Sequence, residues 1–100
     1  MNYLNKNNMK KIDFSKLKVE VRIEEYSNID VRKDLGNMLF NMANTLELDH
    51  LSRKVFNAPN KPVNLDGEEY RLLMQALQNG AAKYSIIKAI ESNAKDVSLD

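Results

Sequence analysis

The stretch RKDLGNMLFNMANTL, Arg32 to Leu46, decides how the rest of the chain reads, because it is the longest segment whose apolar residues recur with helical spacing. Leu35, Met38, Leu39, Met42, Ala43 and Leu46 stand at i, i+3, i+4, i+7, i+8 and i+11, one stripe of a helix. A stripe that wide needs a covering surface, and the flanking segments are read as supplying it. Gly36 lies beside the stripe, where glycine costs a helix about 1 kcal/mol relative to alanine. Close approach of a strand or a second helix would offset that cost. Asn41 and Asn44 mark the outer side and the fraying end.

Upstream, the pattern is strict alternation: Leu17, Val19, Val21 and Ile23 are apolar, and Lys18, Glu20, Arg22 and Glu24 between them are charged. Period two with β-branched residues predicts a half-buried strand. Tyr26-Ser27-Asn28 supplies turn chemistry, after which Ile29 and Val31 resume the alternation around Asp30. The expected product is a hairpin with one dry face. A lone hairpin is marginal in water, so that face is expected on the Leu35 stripe. Residues 1–8 (MNYLNKNN), with four asparagines and no periodicity, are expected to form a flexible arm, and the folded part to begin at Met9.

Downstream, Asp49 to Asn57 predicts a short helix with Asp49 as its N-cap and Leu48, Leu51 and Val55 inward, ending at Phe56. Ala58 to Pro62 breaks it with two prolines. Val63-Asn64-Leu65 is a candidate third strand against the hairpin. Asp66 with Glu69 forms a capping box for a helix that carries Tyr70, Leu73, Met74 and Leu77 on one face, and Asn79-Gly80 ends it through a left-handed glycine. A last helix is expected from about Ala81 to Ala94, with Ile86, Ala89, Ile90 and Ala94 inward and Lys88–Glu91 and Glu91–Lys95 pairs outside. Tyr84 and Ile87 fall at the side of its outer face. Residues 96–100 are expected to fray, which leaves 9–95 as a single α+β domain: an N-terminal hairpin packed on about four short helices.

Composition narrows the function classes. A chain of 100 residues makes one domain with a modest core, which has little room for a deep substrate cavity. The absence of cysteine excludes disulfides, thiolate zinc sites and thiol nucleophiles. No apolar run approaches the roughly 18 residues of a membrane helix, and the start lacks the pattern of a signal peptide. No membrane role is expected, and the location is read as inside a cell. The net charge of +1 is uneven: residues 1–18 carry five lysines (Lys6, Lys10, Lys11, Lys16 and Lys18) against Asp13, whereas the remainder carries ten basic and thirteen acidic side chains. A basic arm on a mildly acidic body fits phosphate or the acidic face of another subunit, but it reads first as an unstructured, solvated terminus.

Chemistry-bearing clusters are missing. His50, the single histidine, stands between Glu47 and Asp49 with no second imidazole near it in sequence, so it reads as a surface residue rather than a metal ligand. No serine lies in a nucleophile elbow, and Gly36, Gly67 and Gly80 are too scattered for a phosphate loop. Glu24-Glu25 ends a strand, and Glu68-Glu69 fills a helix's first turn, where the dipole favours negative charge. No enzyme activity, metal or cofactor is expected.

Two resemblances add to this reading. The segment Leu72 to Glu91, with Ala76, Gly80, Ile86, Lys88, Ala89 and Ile90, resembles the helix-turn-helix of the phage Cro repressors, in which a small residue lets two helices cross and glycine makes the turn. That resemblance implies that Lys83, Tyr84, Ile87 and Lys88 would face DNA. More broadly, MKKIDF, a charged hairpin, DVRKDLGNMLF, LSRKVF and a V-x-L strand leading into a helix resemble a group of small proteins of unknown function from tailed phages and prophages of gut bacteria. It implies a phage or mobile-element origin, a bacterial host cell or virion as the location, and a non-enzymatic role in virion assembly or as an accessory. The expected function is protein–protein binding, to copies of itself or to a larger assembly. Its expected contacts are Lys6, Lys10, Lys11, Lys16, Lys18, Tyr84 and Ile87, and a small DNA-binding regulator is the alternative.

Overall fold

In the computed structural model, which describes residues 9–80 and 82–97, the alternating segment does build a hairpin, with a different turn. Strand β2 (Leu17–Arg22) pairs antiparallel with β3 (Glu25–Ile29), from Leu17 opposite Ile29 to Glu20 opposite Tyr26. The reversal falls at Ile23-Glu24, and Tyr26, Ser27 and Asn28, expected as the turn, lie inside β3. Glu24 takes the left-handed conformation that the reversal needs, at φ 61°. Its amide donates to the Glu20 carboxylate at 2.7 Å, which holds a residue other than glycine in that region.

The long stripe is divided between two helices. Helix α1 (Arg32–Met42) buries Leu35, Gly36 and Leu39, with Met38, Met42 and Ala43 half-buried against the core. Ala43 already has extended backbone, and the Thr45 hydroxyl accepts the Leu48 amide at 3.2 Å as the N-cap of α2 (Leu46–Phe56). A threonine that can close a new helix competes with continuation of the old one. Leu46, the last residue of the expected stripe, is therefore in the first turn of α2 and 65% exposed. Asp49, expected as that cap, lies inside the helix and pairs with Arg53 one turn on.

What covers each apolar face also differs from expectation. Helix α1 packs chiefly on α2, and the hairpin lies against α4 (Tyr84–Asn93) rather than on the Leu35 stripe. Gly36 makes the first contact possible: a Cβ there would stand 2.7 Å from the Phe56 Cβ and 2.9 Å from its Cα. The second contact buries Leu17 and Val19 of β2 along with Ala89 and Ile90 of α4.

The candidate third strand exists but joins another sheet. β4 (Val63–Leu65) pairs antiparallel with β1 (Lys10–Ile12), and β1 pairs on its other side with β5 (Lys95–Asp96), giving the order β4-β1-β5. Asp96, expected to fray, thus lies opposite Lys10, and the Val97 amide donates to the Met9 carbonyl at 3.1 Å. Between β1 and β2 the Asp13 carboxylate accepts the Ser15 amide at 2.9 Å, and this short turn directs Phe14 and Leu17 into the core.

Helix α3 (Gly67–Asn79) starts as expected, with the Glu69 amide donating to Asp66 at 2.7 Å and the Asp66 amide donating to Glu69 at 2.9 Å. Its end differs in mechanism. Gly80 sits at φ −93°, outside the left-handed region, and a Cβ there would lie 2.5 Å from the Met42 sulfur and 2.9 Å from the Ala76 carbonyl oxygen. Crowding by the end of α1, not backbone handedness, selects glycine there. Helix α4 begins at Tyr84, later than expected, and Ala81 lies outside the described residues. The class is α+β, with four helices and two small sheets among the described residues around one core centred on Phe14, Leu39, Leu51, Leu65, Leu73 and Ile90.

Candidate functional site

The surface is built from the hairpin outward. Along β2 the inward row runs Leu17, Val19, Val21, and between Glu20 and Arg22 the pairing slips by one residue. A slip of this kind bends a strand and increases its twist. The inward row loses its cover there: Val19 is 2% exposed, Val21 44% and Ile23, in the turn, 88%. Tyr26 on β3 is also exposed, with the Lys18 ammonium 5.3 Å from its ring centre. Three of the six large apolar side chains exposed among the described residues therefore belong to one hairpin end, spanning residues 21–26. The others are Phe40, Leu46 and Tyr84. By sequence pattern alone Val21 and Ile23 belong to the dry face. Period two carries no sign of the slip, and Ile23-Glu24 has none of the usual turn residues.

The base of this hairpin is held firmly. Lys88 of α4 pairs with Glu20, whose carboxyl is held below its ordinary range first by that ammonium and then by the Glu24 amide. Asn93 of α4 donates to the Lys18 carbonyl at 3.0 Å on β2. At the other end the Asp30 carboxylate takes two bonds from Arg32 at 2.9 and 2.7 Å, while the same guanidinium donates to the Ala58 carbonyl at 2.8 Å. Arg22 and Glu25 pair with each other at 2.7 Å, so the hairpin end carries little unbalanced charge beyond Glu24.

The residues expected to form a contact surface are dispersed. Lys10 is tied to Asp96, whose hydrogen bond raises the ammonium's pKa, and lies 5.5 Å from the Tyr70 ring centre. Lys11 projects beside Lys95 in the three-stranded sheet, Lys16 is exposed in the turn, and Lys18 is on the hairpin. Residues 9–18 are thus woven into both sheets rather than forming an arm, and Lys6 lies outside the described residues. Tyr84 is 73% exposed, whereas Ile87 is half-buried against the core. Lys83 is exposed just before α4, and Lys88, expected beside Glu91, is engaged by Glu20 instead.

His50 is exposed on α2, and among the described residues no group of three or more His, Asp or Glu side chains comes together to hold a metal ion. An open groove of about 880 Å³ runs along α3 between Lys10, Glu68, Tyr70 and Arg71. Glu68 and Arg71 neutralise each other across one helical turn, so the groove offers no uncommitted acid–base pair. No helix among the described residues is long and apolar enough to cross a membrane. No family model, curated protein or solved structure matches the chain.

Proposed function

We propose that the protein is a non-enzymatic binding component of a phage or mobile element, acting through protein–protein contact in a virion, assembly or accessory role. The observation that carries this reading is the apolar hairpin end: Val21 and Ile23, which continue the inward row, are exposed together at the tip, with Tyr26 exposed on the other face beside Glu20, on a ribbon whose base is anchored to α4 by Lys88 and Asn93. Exposed apolar side chains gathered at one place mark contact sites in small proteins, whereas singly scattered ones do not. A ribbon fixed at its base presents them with little loss of conformational freedom on binding. The likeness of MKKIDF, DVRKDLGNMLF and LSRKVF to small phage proteins supplies the setting.

The DNA-binding alternative would use Lys83, Tyr84, Ile87 and Lys88. Two of these are already occupied, Lys88 by Glu20 and Ile87 by the core, which favours the protein-binding reading.

The test measures solution mass and affinity capture from phage-producing bacterial cells, with the unaltered chain beside a Val21→Ser, Ile23→Ser double variant. Both substitutions are at exposed positions and should leave the fold intact. Retention of a virion or assembly protein, or self-association, that the double variant loses supports the proposal. A monomer that retains nothing, or a variant that retains as much as the unaltered chain, overturns it.

A further inference from the structure

We infer that the outer edge of β3 is a pairing edge for a second copy of this chain, joining two hairpins into one four-stranded antiparallel sheet about a two-fold axis at Tyr26. The inference deepens the binding role proposed above and rests on it. Four observations carry it.

The first is that, among the described residues, β3 has the open edge of its sheet. The sheet has two strands, and the far side of β2 is closed by α4, through Asn93 on the Lys18 carbonyl and Lys88 on Glu20. Glu25, Tyr26, Ser27 and Asn28 are all exposed.

The second is that this edge lacks the devices that keep edges apart. Natural edge strands are blunted by lysine, proline, inward charges, bulges or a covering element, and the one slip in this ribbon has its extra residue on β2, between Glu20 and Arg22, not on β3. β3 reads EYSNI: it holds no lysine and no proline, and its one charge, Glu25, is neutralised by Arg22 of the same hairpin. A neutral strand edge selects a neutral partner strand, and a copy of itself is one.

The third is that the strand is self-complementary about Tyr26. Running two β3 strands antiparallel with Tyr26 opposite Tyr26 sets each Glu25 against the second copy's Ser27. It also brings the turn of each hairpin level with the second copy's Ile29. Ile23, 88% exposed, then meets a half-buried isoleucine, and the two phenol rings form an aromatic cross-strand pair. Arg22 comes level with the second copy's Asp30, each already paired within its own copy, to Glu25 and to Arg32, so this register sets no unpaired like charges directly opposite.

The fourth is energetic. A two-stranded ribbon is marginal by itself, and three or more strands with a shared face are needed for a stable sheet. Pairing of two five-residue edges is small against the roughly 1,200 Å² that stable interfaces bury, so the dimer is weak and forms as concentration rises.

The experiment follows solution mass and backbone amide shifts of the full chain over a dilution series. Expected are a mass moving from monomer towards dimer as concentration increases, and concentration-dependent shifts centred on residues 23–29. Tyr26→Lys and Tyr26→Glu, each alone, place like charges directly opposite and remain monomeric. An equimolar mixture of the two recovers the dimer as a heterodimer. The dilution series of the unaltered chain decides the matter even if a variant folds poorly. A mass that stays monomeric to the solubility limit, or a Tyr26→Lys variant that dimerises like the unaltered chain, overturns the inference. A monomer that still captures a phage protein through Ile23 overturns self-pairing while leaving the proposed binding role standing.

Discussion

Glu20 on β2 and Lys88 on α4, 68 residues apart in the chain, form an ion pair that fastens the hairpin to the last helix. The pair is half exposed, so salt screens it, and its effect is local rather than global. Glu20→Gln or Lys88→Met should leave exchange of α1 and α2 amides unchanged and speed exchange of those in β2 and β3. Because Lys88 lowers the Glu20 pKa, the anchoring is present above the ordinary carboxyl range and is lost as pH falls through the lowered value. Hydrogen exchange near neutral pH, in low and high salt, checks the first expectation.

Asp30 gives the clearest acid response. The Arg32 guanidinium and amide hold its carboxyl down from 3.8 to about 2, so the unfolded chain takes up the proton first. Stability from this contact is complete above the unfolded value and disappears as pH falls through the folded one. Urea midpoints measured from pH 5 to pH 2 should fall more steeply for the unaltered chain than for Asp30→Asn, with the excess between 3.8 and about 2. Equal slopes would remove Asp30 from the account.

Gly36→Ala tests the contact between α1 and α2. Alanine gains about 1 kcal/mol in helix propensity. Its Cβ would nevertheless stand 2.7 Å from the Phe56 Cβ and 2.9 Å from its Cα, atoms that cannot move without moving α2. Overpacking of this sort costs about 1–3 kcal/mol, so the net change should be destabilising, seen as a lower urea midpoint. Gly80→Ala meets the flexible end of Met42 and one backbone atom, the Ala76 carbonyl oxygen at 2.9 Å, so it should also destabilise, by less than Gly36→Ala.

The division of the long stripe has its own test. Leu39 is fully buried, so Leu39→Ala should cost about 2–5 kcal/mol, whereas Leu46→Ser, 65% exposed, should change stability by less than about 0.5 kcal/mol. Thr45→Ala removes the cap of α2 and should cost about 1 kcal/mol; Asp49→Ala, inside the helix, should cost less. Chemical denaturation of the four variants separates one helix from two.

The sequence alone determined those features that local chemistry decides. Asp66 and Glu69 cap α3 because their spacing satisfies two amides within one turn, and no distant residue is needed. Leu17 and Val19 face inward by period two, and Leu35 and Leu39 by helical period. Gly36 was legible as a point of close approach, since a helix keeps a costly glycine where another backbone must come near. The tertiary structure decided which apolar face met which. Many pairings of amphipathic elements bury similar area, and the choice between them rests on shape, such as Phe56 fitting over Gly36, and on long-range anchors such as Lys88 on Glu20. β1, β4 and β5 are too short to carry a period, so their sheet is specified only when the intervening chain, residues 13–62, brings Lys10 and Ile12 to Leu65 and Val63. The candidate binding surface was illegible for the same reason. Val21 and Ile23 continue the inward pattern in sequence, and only the slip at the end of β2, where α4 no longer covers the ribbon, leaves them in water.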